Sequence, residues 1–460
     1  MSSPSPERPL AVLVAIQLHG VSDVDHESDI AELGRLVHTL GFDVIATVSQ
    51  RRDALAAAAV VGEGKLKELA DLTGGKGVIP SGAKEIKSKA RDKWKAQEES
   101  DSGASDDDVA DDHTASDAKA APKATVVVVD HEISPSQARN LERATGARVL
   151  DRTGVIVDIF HRHAKSREAR LQVEIARLNY VAPRMREAGG GSERQHGRGA
   201  GESAMELDRR KIRDRIAELR EELAAIQKEQ DNRRHARKDQ LRVALVGYTN
   251  AGKSSLMRAL TGSAVLVEDK LFATLDTTVR ALAPETKPRI LVSDTVGFIK
   301  KLPHDLVASF RSTLAEALEA SLLLYVVDAA DPTHDAQLEV TRAVLREIGA
   351  DLVPSLLLLN KADRLDAAAR KALLARHGDA IILSAHAPDD VVALRQTIVD
   401  FFETKMVEED LLIPYARQSL LGDVYESARV VAEDYDESGT RLRVKGLPAA
   451  IARLRATFAS

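Results

Sequence analysis

Eight consecutive residues, Gly247-Tyr248-Thr249-Asn250-Ala251-Gly252-Lys253-Ser254, carry the strongest chemical signal in the chain. They fit G-x-x-x-x-G-K-[ST], and their setting fits too: an apolar run at 241–246 reads as a buried strand, and 254–260 reads as the start of a helix. Gly247 and Gly252 let backbone N–H groups turn inward with no Cβ in the way. The helix N-terminus adds partial positive charge to the same hollow. Lys253 can reach the β- and γ-phosphates of a nucleotide, and the Ser254 hydroxyl can bind Mg²⁺.

Three later stretches sharpen this reading. The run 290–292 leads into Ser293-Asp294-Thr295-Val296-Gly297. Asp294 at a strand end suits an outer contact to Mg²⁺, and Gly297 allows close approach to a γ-phosphate. The run 355–359 ends in Asn360-Lys361-Ala362-Asp363. The Asp363 carboxylate can accept from the ring N–H and exocyclic amine of guanine, a pair that adenine does not present. Asn360 would brace the loop, and the Lys361 stem can lie over the base. The run 381–383 leads into Ser384-Ala385-His386, where a backbone N–H could meet the guanine carbonyl. Each motif taken singly could be an ordinary strand-end turn. All four in this order on successive βα units predict a site for GTP and GDP.

These motifs need a scaffold, and composition bounds it. At 460 residues the chain has room for about three domains. The hydrophobic fraction of 44% supports real cores, while aromatics at 3% leave the packing to aliphatic residues. With no cysteine, disulfides and thiolate metal sites are excluded. No apolar run approaches the ~20 residues of a membrane span, and 1–9 has no signal-peptide core. A soluble, cytoplasmic protein is the expectation. Residues 98–117 hold nine acidic side chains and no Lys or Arg; removing those nine charges turns the net −6 into +3.

In chain order, 10–18, 43–48 and 125–130 read as strands and 27–40 as a helix. The Val60-Val61-Gly62-Glu63-Gly64-Lys65 loop before a helix at 66–72 lacks phosphate-loop spacing; a plain strand-to-helix turn serves equally well. Ser134-Pro135-Ser136-Gln137 reads as a capping box opening a helix that Gly146 ends. Residues 148–150 and 155–160 read as further strands. The α/β architecture is thus multidomain: an α/β domain at 9–160, an antiparallel helical hairpin at 161–239, a Ras-like nucleotide domain at 240–403 and a small α+β domain at 404–460. The stretch 81–123, first basic around Trp94 and then acidic, reads as a solvated insertion. In the hairpin, Leu171, Ile175, Leu178 and Val181 share a face ended by Pro183, and Ile212, Ile216, Leu219, Leu223 and Ile226 alternate as a coiled-coil-like seam. Arg184, Arg186, Arg194 and Arg198 could meet RNA phosphates, or simply be solvated.

The motif set resembles the HflX family of translational GTPases, within the wider Obg–HflX group. The phosphate loop Gly247–Ser254 carries the resemblance together with Leu271-Phe272-Ala273-Thr274-Leu275-Asp276, which is similar to the family's switch I, and Asp294-Thr295-Val296-Gly297-Phe298, which is similar to its switch II. Ser134-Pro135-Ser136-Gln137 and Asp151-Arg152-Thr153-Gly154 resemble its N-terminal domain. The family's G-P-G-E-T-Q-L-E turn stands here as Gly199-Ala200-Gly201-Glu202-Ser203-Ala204-Met205-Glu206, and the insertion departs from the pattern. The resemblance implies a GTPase acting at the large ribosomal subunit, with its N-terminal domain facing ribosomal RNA, and splitting stalled ribosomes. It also implies Thr274 as a second Mg²⁺ ligand beside Ser254, with Thr277 and Thr278 as rivals by residue type. A monomer is expected. Phe298 stands where Ras-like GTPases place the Gln that orients the attacking water. Slow hydrolysis by the isolated protein follows, with the ribosome, or a K⁺ ion held near Asn250, supplying what is missing. A turn residue chosen for its geometry is the equal alternative for Asn250. Two other classes fit the same loop: an ATP-dependent RNA-remodelling enzyme, disfavoured by Asp363, and a binding module without catalysis, disfavoured by intact Lys253, Ser254 and Asp294.

Overall fold

The computed structural model describes residues 8–79, 122–188, 204–235, 240–263, 271–272, 277–302 and 316–459. Nearly all of the 81–123 insertion, Arg194, Arg198 and the stretch Ala273-Thr274-Leu275-Asp276 lie outside the described residues. The chain divides into two compact units, residues 1–152 and 153–460.

In the first unit, β1 (Leu10–Leu18), α1 (Asp23–Thr39), β2 (Asp43–Arg52), α2 (Glu63–Thr73), β3 (Val126–Val129), α3 (Pro135–Thr145) and β4 (Arg148–Asp151) follow one another. The sheet order is β2-β1-β3-β4, parallel throughout. A parallel sheet is covered on both faces, so its central strands read as continuous apolar runs rather than alternating ones. β1 and the four valines of β3 do so. Ser134 forms the expected capping box with Gln137, and Gly146 ends α3 in the left-handed region at φ 67°. The 60–65 loop is a strand-to-helix turn in which the Gly62 N–H donates to Gln50 Oε1 at 3.0 Å.

The second unit begins with a correction. Residues 155–160, expected as a strand, lie in a helix, α4 (Arg152–His163). Val155, Ile156, Val157, Ile159 and Phe160 are all buried. A helix buried on most sides has no polar stripe, so its short apolar run has the look of a strand. α5 (Arg167–Ala188) and α6 (Ala204–His235) form the helical pair. Arg167 pairs with Glu222 at 3.0 Å and Arg215 with Glu174 at 3.3 Å, a crossed order that makes the helices antiparallel. Their seam joins Leu171, Ile175, Ile216 and Leu219, with Leu178, Ile212, Leu223 and Ile226 beside them. Pro183 does not end α5, which runs on to Ala188. A proline costs one helical hydrogen bond and crowds the preceding turn. Nearby, Arg184 stacks 3.5 Å from the Tyr180 ring centroid and donates to the Tyr180 carbonyl at 3.0 Å.

The nucleotide domain then runs β5 (Leu241–Gly247), α7 (Lys253–Thr261), β6 (Thr278–Ala281), β7 (Ile290–Asp294), β8 (Leu322–Asp328), α8 (His334–Ile348), β9 (Ser355–Asn360), α9 (Ala367–Arg376), β10 (Ile381–Ile382) and α10 (Pro388–Glu403). Sheet order is β10-β9-β8-β5-β7-β6, with only β6 antiparallel to its neighbour. Leu241, Val243 and Leu245 pack into one core with α7 and α10, and Ala244 and Val246 into another with Leu323 and Leu345. β5 has β7 on one side and β8 on the other, so connections leave it in opposite directions. Such a switch point opens a crevice at the strand's carboxyl end, where α/β sheets bind ligands.

The C-terminal part is a small α+β module: β11 (Val407–Pro414), α11 (Leu421–Ser427), β12 (Arg429–Asp436), β13 (Gly439–Gly446) and α12 (Pro448–Ala459), with antiparallel order β11-β13-β12. The expected strand at 440–444 is β13. The weak alternation of β12 reflects a strand exposed over most of its length.

Candidate nucleotide site

The phosphate loop closes the carboxyl end of β5. Gly247 has φ +155°, and a Cβ there would sit 2.1 Å from the Val326 carbonyl oxygen. Gly252 lies in the left-handed region at φ +96°, and a Cβ would sit 2.2 Å from Asn360 Nδ2. Both positions therefore require glycine. Asn250 is exposed with φ 60°, a conformation that asparagine tolerates better than most residues. Lys253 opens α7, and its Nζ donates to the carbonyls of Gly247 at 3.1 Å and Tyr248 at 2.8 Å. Burial pulls its pKa down to about 8, against the opposing pull of Asp294. Ser254 donates to Asp294 Oδ2 at 2.6 Å. Two oxygen donors, one from the first turn of α7 and one from the end of β7, thus meet beside the phosphate loop, a hard-donor set of the kind Mg²⁺ takes.

Switch II is fastened to the same loop. Tyr248 and Phe298 form a parallel bridge, with Thr249 N donating to Phe298 O at 2.7 Å and Phe298 N to Gly247 O at 3.1 Å. Lys300 N donates to the Tyr248 hydroxyl at 2.7 Å. A Cβ on Gly297 would lie 2.7 Å from Thr249 Cα and 2.9 Å from Lys253 Nζ, so the backbone approaches here because the residue is glycine. Thr295 donates to the Leu245 carbonyl at 2.7 Å, and Val296 is buried. Phe298 is itself buried and packs with Ala244 and Val246. Of switch I, Phe272 has φ 59°, donates its N–H to Thr249 Oγ1 at 3.2 Å and meets the Phe160 ring edge-on at 4.5 Å. Thr274 lies outside the described residues.

The base motif sits on the neighbouring strand ends. Asn360 donates through Nδ2 to the Ala251 carbonyl at 2.9 Å and accepts at Oδ1 from Ala385 N at 3.1 Å. Lys361, at φ 62°, pairs with Asp328 at 2.7 Å, and Ala362 N donates to Leu383 O at 3.1 Å. The Ser384 hydroxyl donates to Asp363 Oδ1 at 2.6 Å and is the main reason the carboxyl stays below its ordinary pKa. Asp363 is therefore an ionised acceptor throughout the neutral range. The N–H groups of Ser384, Ala385 and His386 donate to Asp390 Oδ2, Asn360 Oδ1 and Ser384 Oγ respectively. Sequence reasoning missed Asp328, the Tyr248 hydroxyl and Phe160; each acts across segments far apart in the chain, where no local pattern signals it.

One consequence is measurable. A phosphate brought to Lys253 Nζ stabilises the ammonium and raises its pKa above about 8. The bound state then holds more protons than the free state above that pH, so affinity is full below it and lost as pH rises through it. GDP affinity is expected to fall about tenfold between about pH 7 and about pH 9, with proton uptake visible by calorimetry in buffers of different ionisation heat. Lys253→Met should remove the slope. A flat wild-type profile would overturn the assignment.

Three family models match the chain: the GTP-binding GTPase N-terminal region at residues 27–79 and 113–161, the GTP-binding GTPase middle region at 163–237, and the 50S ribosome-binding GTPase at 242–361. The GTPase HflX of Gluconacetobacter diazotrophicus is 67% identical over 455 residues, covering 99% of both chains. That of Escherichia coli is 39% identical over 69% of this chain and 76% of its own. A GTP-binding protein from Sulfolobus solfataricus solved with GDP is 22% identical, with a TM-score of 0.43 over 85% of this chain and 99% of its own. Identity across nearly the full length, with all three regions matched, makes this chain a member of the HflX family of GTPases.

Proposed function

We propose that the chain is a GTP-driven factor that docks on the large ribosomal subunit and separates stalled ribosomes in the cytoplasm. What supports this reading is family membership joined to the base-reading geometry, above all Asp363 held ionised by Ser384 beside Asn360. In this reading the backbone of Gly247–Ser254 holds the phosphates, and Lys253 exchanges its two carbonyl contacts for them. Mg²⁺, which P-loop GTPases generally use, would be held by the Ser254 hydroxyl and by Thr274, with Asp294 behind. It would offset charge on the β- and γ-phosphates. The Asp363 carboxylate selects guanine. Thr274 and the Gly297 N–H sense the γ-phosphate, and its loss on hydrolysis releases switch I.

Phe298 offers no side chain to orient water, and both its backbone groups are committed to Gly247 and Thr249. Hydrolysis by the free protein is therefore slow, and the large subunit supplies the missing order. Asn250 is the residue through which K⁺ would act. The test joins binding and rate in one set of conditions. The full chain with GTP should pellet with large subunits and not with small ones, and less so with GDP. Single-turnover hydrolysis should rise about 100- to 1,000-fold on adding large subunits, the range over which one added electrostatic contact acts in other enzymes. Fast hydrolysis by the free protein in sodium would sink the reading. Equal rates in sodium and potassium, unchanged by Asn250→Ala, would remove only the cation.

A further inference from the structure

The loop after β8 ends in a cluster that the nucleotide site does not use. His334 opens α8, Asp335 follows it, and His377 stands immediately after α9. His377 Nε2 lies 3.1 Å from Asp335 Oδ1, and His334 Nε2 lies 3.5 Å from Asp335 Oδ2. One ligand atom from each of the three lies within 4.8 Å of the others. We propose that His334, Asp335 and His377 bind a divalent cation of the zinc, cobalt and nickel class.

Three observations carry this. The donor set is two imidazoles and one carboxylate, which suits borderline metals; Mg²⁺ prefers all-oxygen surroundings. The spacing fits as well. A tetrahedral ion with bonds of about 2.0–2.1 Å has ligand–ligand edges of about 3.3 Å. His377 Nε2 and His334 Nε2 lie 3.1 and 3.5 Å from the two different oxygens of Asp335, and one ligand atom from each residue lies within 4.8 Å of the others, so a small turn of the carboxylate would bring one oxygen to both nitrogens at about that edge. The third observation is the tautomer of His334. Its Nδ1 lies 2.9 Å from the Asp331 carbonyl oxygen, which only accepts, so Nδ1 carries the proton. In the neutral ring Nε2 then turns a lone pair toward a carboxylate oxygen, and among the described residues that atom has no hydrogen-bond partner. Arg376 already offsets that oxygen, but the Nε2 lone pair is left without a partner among the described residues, a role that a cation beside the carboxylate would fill. Metal-binding histidines are commonly oriented in this way, by a carbonyl on the opposite nitrogen.

The surroundings are compatible with an ion. Arg376 Nη2 lies 2.7 Å from Asp335 Oδ2 and braces that oxygen, leaving Oδ1 toward His377. The side chains of His334, Asp335 and His377 are 13%, 35% and 17% exposed. Water can therefore complete the coordination from the open side. The ion would pin the start of α8 to the end of α9. The competing account is a protonated His334 that merely pairs with Asp335, and the experiment separates the two.

Untagged full-length protein, loaded with GDP and excess Mg²⁺ to fill the nucleotide site, is titrated with Co²⁺. One equivalent should bind, with the intense visible absorption of a four- or five-coordinate ion, and Zn²⁺ should displace it and raise Tm. His334→Gln and His377→Gln should each weaken Co²⁺ uptake by more than the ~10–100-fold that outer partners of a metal site are worth. Both should keep wild-type GDP affinity, which also verifies that they fold. Absence of a stoichiometric Co²⁺ site in the wild type, or the same spectrum in both variants, would overturn the proposal and leave the protonated ion pair.

Discussion

Asp363→Asn is expected to weaken GTP binding by about 100- to 10,000-fold, the equivalent of two charge-assisted hydrogen bonds at about 1.5–3 kcal/mol each. The carboxylate presents two acceptors, and guanine presents two donors, the ring N–H and the exocyclic amine. An asparagine turns one acceptor into a donor that faces the amine. The loss therefore includes a repulsive pair as well as a missing attraction. Xanthine carries a carbonyl where guanine carries that amine, so the variant should gain affinity for xanthine nucleotides while losing it for GTP. The fold should persist, because the Ser384 hydroxyl that reaches Asp363 Oδ1 can donate equally to an amide oxygen. Displacement of a fluorescent GDP analogue by GTP, XTP and ATP provides the measurement. If the variant keeps wild-type GTP affinity, or if ATP competes equally in the wild type, Asp363 does not read the base.

The second large effect lies in the first unit. The Arg152 guanidinium is buried, with Nη1 2.9 Å from Asp130 Oδ1 and Nη2 on Glu32 Oε1. The three side chains come from the start of α4, the residue after β3 and the middle of α1, so they join three separate segments of the chain at one buried point. Arg152→Met leaves two buried carboxylates without their cation and is expected to destabilise the unit by about 3–5 kcal/mol. Adding Glu32→Gln and Asp130→Asn should recover much of that loss, since the penalty belongs to the charges left behind. The β1 amides lie inside this unit, so their hydrogen exchange is the measurement. A loss below ~1 kcal/mol for Arg152→Met would show that water reaches the carboxylates.

The nucleotide motifs were legible because each has a fixed chemistry at the end of a strand whose apolar run is itself legible. The capping box at Ser134 and the seam through Ile216 and Leu219 were legible for the same reason: local spacing decides them. What failed had a physical cause. Residues 155–160 are apolar except for Asp158 because that helix is mostly buried, and burial erases the period that would have identified it. Pro183 is a usual terminator, yet α5 continues five residues beyond it at the cost of one helical hydrogen bond. β11 escaped because Glu408, Glu409 and Asp410 interrupt its pattern on an exposed stretch. The ties between Lys361 and Asp328, or Phe272 and Phe160, depend on the fold bringing distant residues together, and composition carries no trace of them.

Asn360 has a further consequence. With one hydrogen bond to the Ala251 carbonyl and another from Ala385 N, a single buried side chain staples three loops. Holding a backbone residue in one conformation costs on the order of 1–2 kcal/mol of entropy. Here folding of the chain meets that cost for the loop residues concerned. An arriving nucleotide keeps more of its contact free energy as affinity, since less is consumed in ordering the loops. Discrimination among nucleotides is then expressed mainly in how long each one stays, since arrival rates vary little among similar ligands. Loosening the staple is therefore expected to shorten the residence of a bound nucleotide more than it slows arrival.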